Sequence, residues 1–290
     1  MKKKKYAHLL LLLPFAAIML LVLAAAATVI MQSLGYVPAF GLETLSLSYY
    51  FSILQDESFL SSLSVSLRIA FISALLAALL GTLLCAAIIS RRERSASALM
   101  LARIPILVPH TIVAIFMITI FSQTGIVSRL LFALGLIDDY TDFPQLLFTE
   151  SYAGVIAAYL WKEIPFIAYF CFALMAGVSS SLGEAAQNLG ASPVRSFFQI
   201  TLPLSLPAIL NSFFIVFIFA FGAYELPMLL GSTLPKALPV ETYISFANPD
   251  LRQRPYSMAM NGVLLLVSLI FAIIYLLCTR RLVRKLGGKR

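Results

Sequence analysis

The chain has 290 residues, of which 61% are hydrophobic and 12% are charged, and its mean hydropathy is +0.95. This balance is far from that of a soluble domain and places the chain in a lipid bilayer. The formal net charge is +8, which we interpret as membrane topology rather than nucleic-acid binding. No phosphate-binding Gly-x4-Gly-Lys-Ser/Thr sequence is present, so ATP hydrolysis by that chemistry is excluded for this chain.

Six apolar stretches have the length of a membrane crossing, for which roughly 20 residues are needed. They are residues 9–31, 69–90, 104–122, 152–176, 204–224 and 257–279. The sequence therefore predicts an all-α, polytopic membrane protein with a single transmembrane domain over residues 1–290. The first stretch exceeds the apolar region of a cleaved signal peptide, about 7 to 15 residues, and is expected to be retained. Pro105 and Pro109 are expected to perturb the start of the third.

Basic residues orient the predicted bundle. Those on one side are Lys2 to Lys5, Arg91, Arg92, Arg94, Arg103, Arg195, Arg280, Arg281, Arg284, Lys285, Lys289 and Arg290. The positive-inside rule makes that side cytoplasmic, together with both termini. The loops 32–68, 123–151 and 225–256 then face the other compartment and include no run that resembles a soluble catalytic domain. The acidic residues of the second loop, Asp138, Asp139, Asp142 and Glu150, are interpreted as solvated loop acids rather than as a cation site.

Histidine and cysteine are too dispersed to indicate a metal site or a disulfide framework. His8 and His110 lie far apart, and Cys85, Cys171 and Cys278 fall singly within the predicted spans. Packing thiols and an interfacial histidine are the expected roles.

Charges at membrane depth are costly and usually face a bundle interior or an aqueous path. Lys162 and Glu163 precede Pro165, which is expected to break the fourth helix and expose backbone carbonyls. Glu225 follows Tyr224 at a similar charged end of the fifth helix. These four polar residues, Lys162, Glu163, Tyr224 and Glu225, are candidates for a solute pathway. Two alternatives stay open for Lys162 and Glu163, namely snorkelling to the outer interface and pairing with charges on a neighbouring helix.

The segment 184–203 is the most informative part of the sequence. Ser179, Ser180 and Ser181 offer helix caps, which would place Glu184 in a first helical turn. Gly190 permits a sharp turn, and Pro193 suits the first turn of a second helix. The segment is therefore predicted to form two short helices joined at a bend.

The order Glu-Ala-Ala, three residues, Gly, nine residues, Ile, one residue, Leu-Pro resembles the EAA loop of permease subunits in binding-protein-dependent ABC importers. The matching positions are Glu184, Ala185, Ala186, Gly190, Ile200, Leu202 and Pro203. The resemblance implies a type I importer-like bundle whose cytoplasmic loop, residues 177–203, couples to an ATPase. An ordinary helix-turn-helix connector is the alternative.

The resemblance also implies partners and a location. These are two ATP-binding subunits that hold ATP and Mg²⁺, a second permease subunit, identical or related, and an extracytoplasmic solute-binding protein, all at the cytoplasmic (inner) membrane of a prokaryote. This chain itself is expected to bind no cofactor and no nucleic acid, and not to be an enzyme.

The stretches 221–231, 238–243 and 254–259 resemble the polyamine, ferric-ion, thiamine and phosphonate permease group. A polyamine-like organic cation is the first expectation for the solute, and ferric ion, thiamine or phosphonate is the alternative. A gradient-driven secondary transporter or channel and a membrane scaffold are the alternative functions.

Overall fold

The structure, a computed structural model, describes residues 7–90 and 95–286. Within these ranges the chain forms fourteen α-helices and no β-strand. In chain order they are α1 (Ala7–Ser33), α2 (Ser48–Gln55), α3 (Glu57–Ser90), α4 (Ser95–Ala102), α5 (Ile104–Leu107), α6 (His110–Phe121), α7 (Ile126–Ala133), α8 (Ala153–Val178), α9 (Glu184–Asn188), α10 (Pro193–Ser196), α11 (Leu202–Gly222), α12 (Glu225–Leu230), α13 (Leu238–Phe246) and α14 (Arg254–Leu286). The predicted all-α fold class is confirmed.

Six helical stretches in the described part of the chain are long and apolar enough to cross a bilayer. They are Leu12–Ser33, Glu57–Ser90, His110–Ala133, Ala153–Asn188, Pro193–Gly222 and Leu251–Leu282. On α1, Leu20, Leu21 and Leu23 are all exposed. A helix that is apolar around its whole circumference and has no protein cover suits a lipid environment.

The predicted orientation rests partly on residues for which the structure gives no placement. Lys2 to Lys5, Arg91, Arg92, Arg94, Lys289 and Arg290 lie outside the described residues. The orientation and the assignment of one transmembrane domain to residues 1–290 therefore stay predictions.

The described residues form two compact units, the first within Met1–Leu60 and Glu241–Leu266. Tyr50 on α2 joins two other helices of this unit: its Oη donates a hydrogen bond of 2.8 Å to Ser33 Oγ, and its ring occupies the space beside Gly262. A Cβ at Gly262 would lie 2.2 Å from Tyr50 Oη, so only glycine permits this approach. Tyr256 Oη adds a 2.6 Å hydrogen bond to Asp56 Oδ2.

The second unit, within Ser61–Val240 and Val267–Arg290, has its core on α3, α8 and α11. Helices α3 and α8 approach closely at Gly81, where a Cβ would lie 2.8 Å from the Ile164 carbonyl oxygen. The Phe217 and Phe271 rings stack at 3.9 Å between centroids. Aromatic burial of this kind contributes a large share of packing energy. This unit includes every candidate functional residue.

Pro109 and Pro165 have different effects on their helices. At Val108 the backbone becomes extended and α6 begins after Pro109, so the third predicted span is interrupted near its start as expected. Pro165, in contrast, lies inside α8, which runs without interruption from Ala153 to Val178. The predicted break at Pro165 is therefore wrong. A proline removes a single amide donor from the helix, and tight packing around α8 tolerates that loss, since Pro165 itself is buried.

Candidate functional site

The segment 184–203, here called the coupling segment, forms two short helices joined by a bend. Helix α9 ends at Asn188 and α10 begins at Pro193. Between them Gly190 has φ +98°, in the left-handed region that favours glycine. Ser192 caps α10 by accepting a 3.2 Å hydrogen bond from the Arg195 amide. The predicted pair of helices with a glycine bend is confirmed.

The predicted serine cap before α9 is wrong. Helix α8 continues through a π-helical turn, Ser179–Gly183, directly into α9. Ser181 Oγ donates to the Gly177 carbonyl at 2.8 Å instead of accepting from an amide. Serine side chains that bond back to the preceding turn leave the helix continuous. The bend therefore has a rigid connection to a membrane-spanning helix.

A second π-helical turn, Phe197–Thr201, connects α10 to α11, and the two π turns pack against each other. Ser196 Oγ donates a buried 2.9 Å hydrogen bond to the Gly183 carbonyl. A Cβ at Gly183 would lie 3.3 Å from Ser196 Oγ and 3.5 Å from Thr201 Oγ1. We call Gly183, Ser196 and Thr201 the hydroxyl clasp. It joins the two arms of the coupling segment at their base.

The tip of the coupling segment exposes apolar side chains that the sequence pattern did not single out. Leu189 is 89% exposed, and Val194 and Phe198 are also exposed. Of the pattern residues, Ala185 and Gly190 are exposed, and Glu184, Ala186, Ile200, Leu202 and Pro203 are half-buried. A cavity of about 670 Å³ lies between this segment and the end of α3. Exposed apolar groups beside such a cavity suit a protein partner.

Lys162 and Glu163 on α8 are both buried by protein. Lys162 Nζ donates a hydrogen bond to the Val108 carbonyl. The helix is interrupted at Val108, before α6, so this carbonyl is available as an acceptor. The snorkelling alternative is therefore wrong in this chain, because a snorkelling ammonium group would be in water. Lys162 Nζ thus donates its hydrogen bond to a backbone carbonyl, and Lys162 also interacts electrostatically with Glu225 at the start of α12.

Glu225 begins α12 and its side chain is 58% exposed. Its Oε2 lies 3.6 Å from His110 Nδ1, at the start of α6. These residues border a cavity of about 280 Å³, here called the His110 cavity. It is lined by His110, Tyr159, Phe219, Ala223, Tyr224, Glu225 and Leu226. Lys162 and Glu163 are not among these lining residues.

Sequence reasoning missed His110, Tyr159 and Phe219 as parts of this site. Each is a single residue in an apolar stretch, on three different helices, α6, α8 and α11. The available signal was a histidine directly after Pro109, where an irregular backbone is expected to face a cavity rather than lipid.

The acidic loop forms a local turn. Asp139 Oδ1 accepts hydrogen bonds from the amide and hydroxyl of Thr141, and Asp142 Oδ2 accepts from the Asp138 and Asp139 amides. The bonds from Thr141 hold the pKa of Asp139 below its usual value. In the part of the chain that the structure describes, no group of three or more His, Cys, Asp and Glu side chains is arranged to hold a metal ion.

The sequence model of the family described as "Binding-protein-dependent transport system inner membrane component" matches residues 78–284. The chain belongs to this family. It is thus a permease subunit of an ABC importer, and the secondary-transporter and scaffold alternatives are set aside. The match includes the coupling segment and every residue that lines the His110 cavity.

The relatives of this permease are named for different solutes. It is 27% identical over 239 residues to the molybdate/tungstate transport system permease protein WtpB of Pyrococcus abyssi, covering 81% of this chain and 86% of that protein. It is 28% identical to the probable sulfate transport system permease protein cysT of Nephroselmis olivacea, covering 77% and 76%. It is also 27% identical to the spermidine/putrescine transport system permease protein PotB of Escherichia coli K12, covering 61% and 62%.

Solved structures support the fold of the permease. A chain of a bacterial ABC transporter involved in the import of the acidic polysaccharide alginate aligns with a TM-score of 0.79 at 21% identity, with 96% of each chain covered. A chain of the MetNI methionine transporter in an inward-facing conformation aligns with a TM-score of 0.57 at 16% identity, covering 83% of this chain and all of that one. The expected ABC importer permease fold is confirmed.

Proposed function

We propose that this permease forms half of the solute pathway of an ATP-driven importer in the cytoplasmic (inner) membrane of a prokaryote. A second permease subunit, identical or related, completes the pathway, and an extracytoplasmic binding protein delivers the solute. Two ATPase subunits hold ATP and Mg²⁺, whereas this chain binds no cofactor and catalyses no reaction. Both of its termini are cytoplasmic, as the distribution of basic residues favours.

The coupling segment is the contact with the ATPase in this proposal. The observation that carries it is the exposed apolar tip, with Leu189 at 89% exposure, on a bend that is rigidly continuous with two spanning helices. The coupling residues are Glu184, Ala185, Ala186, Gly190, Ile200, Leu202 and Pro203. ATP binding closes the ATPases, and the resulting displacement passes through α9 and α10 into α8 and α11 without an intervening loop.

Because the hydroxyl clasp ties both arms together, α8 and α11 move as one body when the tip is displaced. This movement switches the bundle between inward-facing and outward-facing states, and ATP hydrolysis resets it. Differential ATPase binding to the two states supplies the free energy of the switch.

The solute pathway in this proposal passes polar residues within α8 and directly after the end of α11. Glu225 and Tyr224 border the His110 cavity, and Lys162 and Glu163 supply buried charge on α8. A polyamine-like organic cation is the proposed solute. The reason is that Glu225, an exposed carboxylate, is the one acidic or basic side chain besides His110 among the described residues that line that cavity. Ferric ion, thiamine and phosphonate are alternatives. Molybdate and sulfate are further alternatives, because two relatives are named for their transport.

The decisive experiment is affinity purification of the chain from native membranes in a mild detergent, followed by mass spectrometry. We expect an ATPase and a binding protein to accompany it. Repeated recovery of the chain alone, under conditions that keep a known importer intact, would contradict the proposed assembly. The co-purified binding protein then identifies the solute by calorimetric titration with spermidine, thiamine, ferric ion, phosphonate, molybdate and sulfate in turn.

A further inference from the structure

Two polar atoms at the His110 cavity are buried without a hydrogen-bond partner among the described residues. They are Tyr159 Oη and His110 Nε2. Tyr159 is completely buried, whereas the His110 side chain is 23% exposed and only its Nε2 atom is buried. An unsatisfied buried polar group costs free energy, and native structures therefore seldom retain one without a reason. Both residues line the same cavity of about 280 Å³.

Glu225 adds a carboxylate to this cavity, which Tyr224 also lines. Glu225 Oε2 lies 3.6 Å from His110 Nδ1. The neutral imidazole that places its proton on Nδ1, toward the carboxylate, leaves Nε2 as an acceptor. Tyr159 Oη also accepts through its lone pairs. The cavity thus presents three acceptors on separate elements: a ring nitrogen, a phenol oxygen and a carboxylate.

Aromatic rings form much of the remaining wall. The Phe219 ring lies 5.4 Å from the His110 ring and 6.4 Å from the Tyr159 ring, the latter pair at 86°. Ring faces attract a desolvated cation through their quadrupole. An oxyanion, in contrast, would meet the Glu225 carboxylate. Lys162, the basic residue of α8, does not line the cavity and donates to the Val108 carbonyl.

The group that complements three acceptors and aromatic faces is a donor with three hydrogens and a positive charge. We propose that the His110 cavity is a subsite for the primary ammonium end of an organic cation, held by Glu225, His110 and Tyr159. The volume of about 280 Å³ is at the lower end for ligand pockets, so it admits an end group rather than a long solute. This subsite rests on the proposed pathway function and specifies which end group of the solute binds there.

The test is direct binding to the purified importer complex in nanodiscs, without its binding protein. The probe is 1,4-diaminobutane, and 1,4-butanediol is the neutral control of the same length. Saturation-transfer NMR reports weak binding. The variants are Glu225→Gln, which removes the charge, and Tyr159→Phe, which removes only the hydroxyl. Tyr169→Phe is the matched control, because Tyr169 is an exposed tyrosine on the same helix and does not line the cavity.

We expect the diamine to bind and the diol not to bind. Glu225→Gln should weaken diamine binding about tenfold, since the lost contact is charge-assisted, and Tyr159→Phe should weaken it about fivefold. Tyr169→Phe should bind like the unaltered complex. Circular dichroism and size exclusion of each variant exclude misfolding as the cause.

Three results would overturn the subsite. They are no diamine binding, equal binding by all variants, and molybdate or sulfate binding that the same variants weaken. ATP-driven uptake by the complex in proteoliposomes, measured with its own binding protein, separates the two proposals. Uptake that persists without a diamine subsite overturns the subsite alone, whereas a complex without an ATPase overturns the importer assembly.

Discussion

The coupling segment and the His110 cavity belong to the same compact unit but are built in opposite ways. The coupling segment is contiguous in sequence, with an exposed apolar tip and a shape that depends on one glycine conformation and one hydroxyl. The cavity combines side chains of α6, α8, α11 and α12, buried against aromatic rings. The proposed contact with a partner protein thus depends on local sequence, and the proposed contact with a solute depends on helix packing.

Gly190→Val tests the backbone dependence of the coupling segment and should have the largest effect. Nothing lies within 4 Å of a Cβ at Gly190, so the cost is the left-handed backbone alone, about 2 kcal/mol for a residue other than glycine. We expect normal membrane insertion and ATP-driven uptake in proteoliposomes reduced to less than about a tenth, because the bend no longer fits the ATPase.

Gly177→Val is the matched control. A Cβ at Gly177 is equally unobstructed, but the backbone there is helical. Uptake by this control should be close to normal. Equal uptake by the two variants would show that the bend geometry does not matter for coupling.

Lys162→Met tests whether buried charge on α8 supports the structure near the cavity. Methionine keeps a long, unbranched side chain but removes the donor to the Val108 carbonyl, at a cost of about 1 kcal/mol or somewhat more. We expect the melting temperature of the detergent-solubilised chain to fall by about 2 to 4 °C. An unchanged melting temperature for Lys162→Met would show that this contact does not stabilise the structure.

Ser196→Ala tests the hydroxyl clasp and should have a smaller effect. The variant loses the 2.9 Å hydrogen bond to the Gly183 carbonyl, a net contribution of about 1 kcal/mol. We expect ATPase activity to persist while the solute transported per ATP falls about threefold, because the two arms no longer move together. Ser180→Ala, which removes an exposed hydroxyl bonded at 3.3 Å to Gly177, is the control. Equal amounts of solute transported per ATP by Ser196→Ala and Ser180→Ala would contradict the proposed role of the hydroxyl clasp.

Asp139→Asn should have the smallest effect, because the acidic loop belongs to neither site. Uptake at neutral pH should equal that of the unaltered permease. The Thr141 hydrogen bonds lower the pKa of Asp139, so their local stabilisation is present above the ordinary aspartate pKa and is lost as pH falls through the lowered value. Amide exchange at Thr141 should be faster in the variant at neutral pH and equal in strong acid. Reduced uptake would instead indicate that this loop contacts a partner.

The sequence predicts the coupling segment well because its determinants are local. Gly190 and Pro193 impose their conformations wherever they occur, and both short helices follow from them. The expected serine cap failed for a tertiary reason. The adjacent spanning helix continues through Ser179–Gly183, and this continuity outweighs the capping preference of serine.

The cavity was only half predicted. Glu225 was predicted because a charge in an apolar context is conspicuous, and Tyr224 because it directly precedes Glu225. His110, Tyr159 and Phe219 were not, since a pairing across α6, α8 and α11 leaves no periodic signal in the sequence. Tertiary packing also explains the wrong prediction at Pro165. The sequence shows that this residue has no amide hydrogen to donate, but only the packing shows that α8 continues through it.

The two π turns at the base of the coupling segment determine how its helices respond to a change in chain length. A π turn closes hydrogen bonds over five residues rather than four, so each one absorbs one residue beyond a regular α-helix. Deleting one residue from Ser179–Gly183 would leave a regular α turn at that point, whereas deleting one from the regular part of α8 would rotate α9 by about 100° relative to the start of α8. We therefore expect the orientation of α9 to tolerate the loss of one residue within this turn but not the loss of one elsewhere in α8.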